Sequence, residues 1–359
     1  MKDKLRQTKG QERFLMSGNE AIAEGALQAG CLFYAGYPIT PQNELIGYMS
    51  IHMLERNGVF IQAESEIAAI NMIYGASAAG VRAMTSSSSP GISLKQEGIS
   101  YIAGAELPAV IVNIMRAGPG LGNIWPAQSD YFQSTRGGGN GEYRCIVLAP
   151  ASVQESFDIM FTSFNLADKY RIPVIVLGDG MLGQMMEPVN LKFDVLPQKF
   201  KKPWALTGCR GRKPNIVKSF YMREGDLEKF NLKLQEKYNK IKKEEQRSEG
   251  FFLDDASIIL VAYGSMSRIA KSAVKSLRGR GKKIGLIRPI SLWPFPVDVF
   301  KRLSAGKKRR TFLAVEMSYG QMVEDVMLAV GKGSRVEFLG RAGGGIPTEE
   351  EIIRKVAGL

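Results

Sequence analysis

Ile61-Gln-Ala-Glu-Ser-Glu-Ile-Ala-Ala-Ile-Asn-Met72 divides into an apolar, strand-like run and a helix of small side chains, and Glu66 falls where one gives way to the other. A strand feeding a helix is the repeating unit of α/β folds, and open α/β sheets bind ligands beyond the carboxyl ends of their strands. The same alternation extends to both sides. Residues 18–30 read as a helix with Gly30 as its stop. Strands are expected at 31–36, 59–63, 82–85, 109–115, 145–149 and 173–177, with helices at 66–79, 92–103 and 152–167. Ala109-Val-Ile-Val-Asn-Ile-Met115 is apolar almost throughout. Such a strand needs cover on both faces, hence a parallel sheet between helix layers.

From residue 187 to about 255 the pattern changes. Gly, Pro and Lys become frequent, and one long charged helix is expected at 226–246. A second set of strands follows at 257–262, 283–287, 311–315 and 335–339. The closing helix, 348–356, carries capping-box spacing between Thr348 and Glu351. The expected architecture is α/β, two doubly wound parallel-sheet domains at 14–190 and 256–359, joined by a basic linker at 191–255.

Composition removes several function classes. With 359 residues, 45% apolar and 23% charged, the chain is sized for two domains and balanced as a globular protein. No run approaches the ~20 apolar residues of a membrane span. The first ten residues are polar, without a hydrophobic signal segment, so a cytoplasmic protein is expected. Cys31, Cys145 and Cys209 stand far apart; they cannot supply the thiolate set of a typical iron–sulfur or structural zinc site and read as small hydrophobes. His52, the only histidine, lies among Ile51, Met53 and Leu54, a packing or surface position. A Ser-His-Asp or Cys-His mechanism therefore lacks its parts, and no G-x-S-x-G elbow is present. The net charge of +13 is concentrated in 199–247. Mixed Lys and Glu there read as a solvated helix face, and no nucleic-acid motif accompanies them; an acidic protein partner fits better.

Three features carry chemistry. Thr40-Pro41 reads as a helix start, Thr as N-cap and Pro in the first helical position, where exposed N–H groups favour an anion. Arg116 ends the strand Ala109–Met115, and a guanidinium there can grip a carboxylate. Thr85-Ser-Ser-Ser-Ser-Pro-Gly91 places hydroxyls either along the cleft or on a solvated turn. The glycine-rich loop 117–141 is long enough to be functional or mobile, but fits neither G-x-G-x-x-G nor a P-loop. Gly178-Asp-Gly180 lacks a downstream Asn at the spacing of a magnesium–diphosphate motif and reads as a strand-ending turn, so no metal site is expected.

Gly36-Tyr-Pro-Ile-Thr-Pro41, Glu64-Ser-Glu66, Thr85-Ser-Ser-Ser-Ser-Pro-Gly-Ile-Ser93, Glu97-Gly-Ile-Ser-Tyr101 and Gly183-Gln-Met-Met-Glu-Pro188 together resemble the α subunit of 2-oxoacid:ferredoxin oxidoreductases, closest to the branched-chain (3-methyl-2-oxobutanoate) type. The resemblance runs from about Phe14 to the C-terminus. It implies a pyrimidine-type thiamine diphosphate domain followed by a transketolase-C-terminal-like domain. Glu66 would hydrogen-bond the aminopyrimidine and let the cofactor act as its own base, with Pro38, Ile39, Thr85 and Ser86 along the cofactor. Thr40 and Arg116 would hold the substrate carboxylate. A β subunit would carry the diphosphate and Mg²⁺, and γ and ferredoxin-like δ subunits would accompany it, the iron–sulfur clusters lying on partner subunits. Coenzyme A and ferredoxin would take the acyl group and the electrons. Met115, Leu121, Ile124 and Trp125 suit a branched apolar substrate; a 2-oxoglutarate enzyme would need a further cation, Arg136 or Lys95. A non-catalytic docking subunit on the same fold has no use for Glu66, Thr40 and Arg116 together, and a nucleotide-binding dehydrogenase would need the absent glycine fingerprint.

Overall fold

The computed structural model describes residues 13–192, 198, 200–305 and 309–359; the polar first ten residues lie outside them. The larger sheet has seven strands in the order Ser291–Trp293, Ile146–Leu148, Pro173–Asp179, Ala109–Met115, Ala83–Ser87, Phe33–Gly36 and Val59–Gln62. All pairings are parallel except that of Ser291–Trp293, which runs antiparallel along Ile146–Leu148. Every residue of Ala109–Met115 and Pro173–Asp179 is buried, as two-sided helix cover demands. Gly25 belongs to this packing, because a Cβ there would collide with the backbone of Phe157 on the helix Val153–Tyr170.

The smaller sheet is ordered Arg335–Gly340, Thr311–Glu316, Ile258–Val261, Ile284–Pro289 and Ser248–Phe251. Its first four strands are parallel, and Ser248–Phe251 closes the edge antiparallel to Ile284–Pro289. Each sheet thus takes one strand from outside its expected span: Ser248–Phe251 arises in the stretch expected as linker, and Ser291–Trp293 crosses back to the larger sheet. Arg288 fastens that crossing, with hydrogen bonds to Glu155 at 2.8 and 2.9 Å and to Glu249 at 3.0 Å.

The charged helix Asp226–Glu244 is seated by Leu234, Tyr238 and Ile241, its buried residues, spaced to share one face. Burying each apolar side chain contributes about 1.5–3 kcal/mol. Glu106 holds the same helix by ion pairs to Lys233 and, at 2.8 Å, to Lys237. No helix among the described residues is long and apolar enough to cross a membrane. Cys31 and Cys145 are buried, and burial pushes the Cys31 thiol up to about 12. Cys209 departs from the expectation: it is exposed, because its polar, glycine-bearing segment covers the core without entering it.

Candidate active site

Val59–Gln62, Phe33–Gly36 and Ala83–Ser87 lie side by side and parallel, so the segments that leave them meet at one rim. Those segments are 63–66, 37–41 and 88–91. The chain goes outward from Phe33–Gly36 to Val59–Gln62, but inward from Ala83–Ser87 to Ala109–Met115. A crevice opens where the winding direction changes.

Glu66 begins the helix Glu66–Ala78, whose N-cap Ser65 accepts a hydrogen bond from the Ala68 N–H at 3.2 Å. An acid in a first turn is favoured by the helix dipole. Glu66 is only 6% exposed, whereas neighbouring Glu64 faces solvent. Lys95 Nζ donates at 3.4 Å to the backbone carbonyl of Glu66, and among the described residues no hydrogen bond ends on the Glu66 carboxylate. Across from it stands Gly91 on the helix Ser89–Gly104. A Cβ at Gly91 would press into Ser87 Oγ and lie 2.5 Å from Glu66 Oε1. The missing side chain makes room for the acid.

Thr85, Ser86, Ser87 and Ser88 are all buried, so they line structure and do not solvate a turn. Thr85 and Ser87 share one face of the strand. Among the described residues the hydroxyls of Thr85, Ser87 and Ser88 have no partner, while that of Ser86 accepts from the Tyr34 hydroxyl at 2.5 Å and donates to Gln42 at 2.6 Å. Ser86, expected along the cofactor, also braces Gln42.

Thr40 and Arg116 do come together. Arg116 Nη1 donates to the Thr40 carbonyl at 3.1 Å and Nη2 to the Leu121 carbonyl at 3.0 Å, leaving a buried Nε without a partner. No acid pairs with this guanidinium among the described residues. Pro38 is exposed and Ile39 half-buried on the same rim. The helix, however, does not start at Thr40. It spans Asn43–Glu55 with Gln42 in the cap position, and its first carbonyl is that of Gln42. The physical reason is competition: the Thr40 carbonyl is taken by Arg116, and that of Pro41 by Asn19 at 2.8 Å.

Asp179 does more than end a strand: it caps the helix Gly180–Gln184 and accepts from Ser265 of the smaller domain at 2.7 and 2.6 Å, while burial raises its pKa. No group of His, Cys, Asp and Glu among the described residues is arranged to hold a metal. The loop after Arg116 leans on the smaller domain through Asn123, bonded to the Gly343 carbonyl at 3.1 Å. Leu121, Ile124 and Trp125 remain 82%, 57% and 63% exposed beside it. His52 is half-buried against Tyr48 and bonds Glu55 at 2.7 Å, away from this rim. A separate cleft of about 1020 Å³, lined by Glu155, Arg268, Lys271 and Arg288, shares no residue with the Glu66 rim. Gln42 was not anticipated as part of the site; Gly91 entered only as the end of the segment 85–91, and Lys95 only as a cation that 2-oxoglutarate would need.

Comparisons with known proteins give the family. The family described as pyruvate flavodoxin/ferredoxin oxidoreductase, thiamine diphosphate-binding, matches residues 24–249, and the pyruvate:ferredoxin oxidoreductase core domain II matches residues 256–352. The ketoisovalerate oxidoreductase subunit VorB of Methanothermobacter thermautotrophicus is 51% identical over 95% of this chain and 96% of its own. The 2-oxoglutarate synthase subunit KorA of Methanocaldococcus jannaschii is 37% identical over 96% and 99%. The solved 2-oxoglutarate:ferredoxin oxidoreductase from Magnetococcus marinus superposes with a TM-score of 0.88 at 26% identity, covering 99% of this chain and 66% of that one. The class is that of α/β proteins with a thiamine diphosphate-binding domain. Within it, the chain belongs to the 2-oxoacid:ferredoxin oxidoreductase family.

Proposed function

We propose that this chain is the α subunit of a branched-chain 2-oxoacid:ferredoxin oxidoreductase, which converts 3-methyl-2-oxobutanoate and coenzyme A to acyl-CoA and CO₂ with electrons passed to ferredoxin. The observation that carries the reading is a buried Glu66 carboxylate with no donor among the described residues, facing a glycine whose Cβ would displace it. That acid and the unpartnered hydroxyls of Thr85 and Ser87 fit the polar edge of a heterocycle. Thiamine diphosphate, when bound, supplies the carbon nucleophile for the 2-oxo group and the sink for the electrons released with CO₂. Glu66 would hold a proton at a ring nitrogen of the pyrimidine, and Pro38 and Ile39 of the rim would help hold the ring. Thr40 and Arg116 hold the substrate carboxylate, with Arg116 braced by two carbonyls and its Nε unspent.

Partner subunits complete the enzyme. A β subunit carries the diphosphate and Mg²⁺, in keeping with Asp179 being committed to Ser265 and a helix cap. The γ and ferredoxin-like δ subunits accompany it, iron–sulfur clusters sit on partners only, and the assembly works in the cytoplasm. For the substrate, Leu121, Ile124 and Trp125 offer exposed apolar surface beside Arg116. The cations that 2-oxoglutarate would require are engaged elsewhere: Arg136 pairs with Asp325 at 3.3 Å, and Lys95 is sealed behind Glu66. The identity to VorB supports the same choice. The test is ferredoxin reduction by the enzyme assembled from this chain and its partner subunits. Expected are a kcat/KM at least about tenfold higher for 3-methyl-2-oxobutanoate than for 2-oxoglutarate and no activity from this chain alone. A preference for 2-oxoglutarate would overturn the substrate assignment.

A further inference from the structure

Lys95 is fully buried, at 0% exposure, on the helix Ser89–Gly104 among Ile92, Ile99 and Gly98. An ammonium has three donors, yet among the described residues Lys95 has one hydrogen bond, at 3.4 Å to the Glu66 carbonyl. A charge sealed in this way costs several kcal/mol, and an apolar side chain of similar volume is often as stable or more so. Packing therefore gives no reason for a lysine here. Its position does: Lys95 is one helical turn beyond Gly91, so one face of one helix gives Glu66 both the space for its carboxylate and a neighbouring positive charge.

We propose that Lys95 is a positioning residue of the site, its ammonium fixing the first turn of the Glu66 helix and compensating the carboxylate, so that a proton shared between Glu66 and the cofactor ring resides on the ring. The inference rests on the reading of Glu66 as the acid that meets the pyrimidine. Burial lowers the Lys95 pKa to about 8, with the charge of Glu66 pulling it back up. Lys95 is accordingly charged at pH 7 and loses its charge as pH rises past about 8.

The test measures the Kd of thiamine diphosphate, by quenching of protein fluorescence, for the co-expressed complex and its Glu66→Gln, Lys95→Met, Lys95→Gln and Glu66→Gln/Lys95→Met variants. Each of the first two is expected to weaken binding about tenfold at pH 7, with the double variant no weaker than Glu66→Gln alone. The melting temperature of Lys95→Met stays at or above that of the parent. Parent and Lys95→Met converge in Kd as the pH is taken above about 8. Lys95→Gln, which keeps a donor for the carbonyl but no charge, follows Lys95→Met. The proposal is overturned if Lys95→Met binds as the parent does while Glu66→Gln is weakened, if Lys95→Gln restores parental binding, if the two effects multiply, or if neither Lys95 variant assembles. An unchanged Kd in Glu66→Gln instead rejects the reading of Glu66, and the inference falls with it.

Discussion

Gly91→Ala separates the site from the fold. A methyl group at this position would lie 2.5 Å from Glu66 Oε1 and closer still to Ser87 Oγ. Gly91 sits inside a helix and is not among the glycines of positive φ, so backbone conformation is no obstacle. Alanine gains about 1 kcal/mol of helix propensity over glycine, and overpacking costs about 1–3 kcal/mol. The balance is a loss of roughly 0–2 kcal/mol, a shift of no more than a few degrees in melting temperature for a chain of this size. Reaching an ordinary van der Waals separation requires the Glu66 carboxylate to move by about 1 Å, a misplacement that costs about a hundredfold in turnover. Thermal unfolding and single-turnover decarboxylation by the assembled enzyme read the two effects separately. Near-parental turnover in a stably folded Gly91→Ala enzyme would refute the reasoning.

Arg116→Lys removes a fork that bonds the carbonyls of Thr40 and Leu121 together; steady-state kinetics should show the 2-oxoacid KM raised about 10–100-fold with a smaller change in kcat, and an unaltered KM would contradict its role. Burial alone would raise the Glu106 pKa, but Lys237 and Lys233 outweigh it and hold the carboxyl below its usual range. A depressed acid stabilises above its unfolded pKa and loses that contribution as pH falls through the folded one. Protection from amide exchange along Asp226–Glu244 should therefore decline as pH drops from about 5 to 3, and Glu106→Gln should lack that decline; parallel profiles for the two proteins would count against the clamp.

Much of this was legible because burial and position act through single residues. Ala109–Met115 announced a central strand since nearly every side chain is apolar, and all are buried. Glu66 stood out because an acid at a strand-to-helix junction has few structural uses. What failed to read correctly was decided by residues far away in the chain. Thr40-Pro41 has the chemistry of a helix start, but Arg116, 76 residues on, takes the Thr40 carbonyl. The composition of Thr85 to Ser88 left cleft lining and solvated turn equally open, and the pairing of Thr85, Ser86 and Ser87 with Ala109–Met115 puts those three in the sheet. Ser248–Phe251 is too short and polar to declare itself a strand before Ile284–Pro289 offers it an edge. Lys95 read only as a cation that 2-oxoglutarate would need, since nothing in its local sequence says that helix packing seals it.

The most direct measurement is a structure of the assembled enzyme with thiamine diphosphate bound. The account predicts a Glu66 carboxylate oxygen within hydrogen-bond distance of a pyrimidine nitrogen, between Gly91 and the rim at Thr40, with the diphosphate on another subunit. A pyrimidine seated elsewhere, with Glu66 touching only protein, would contradict it.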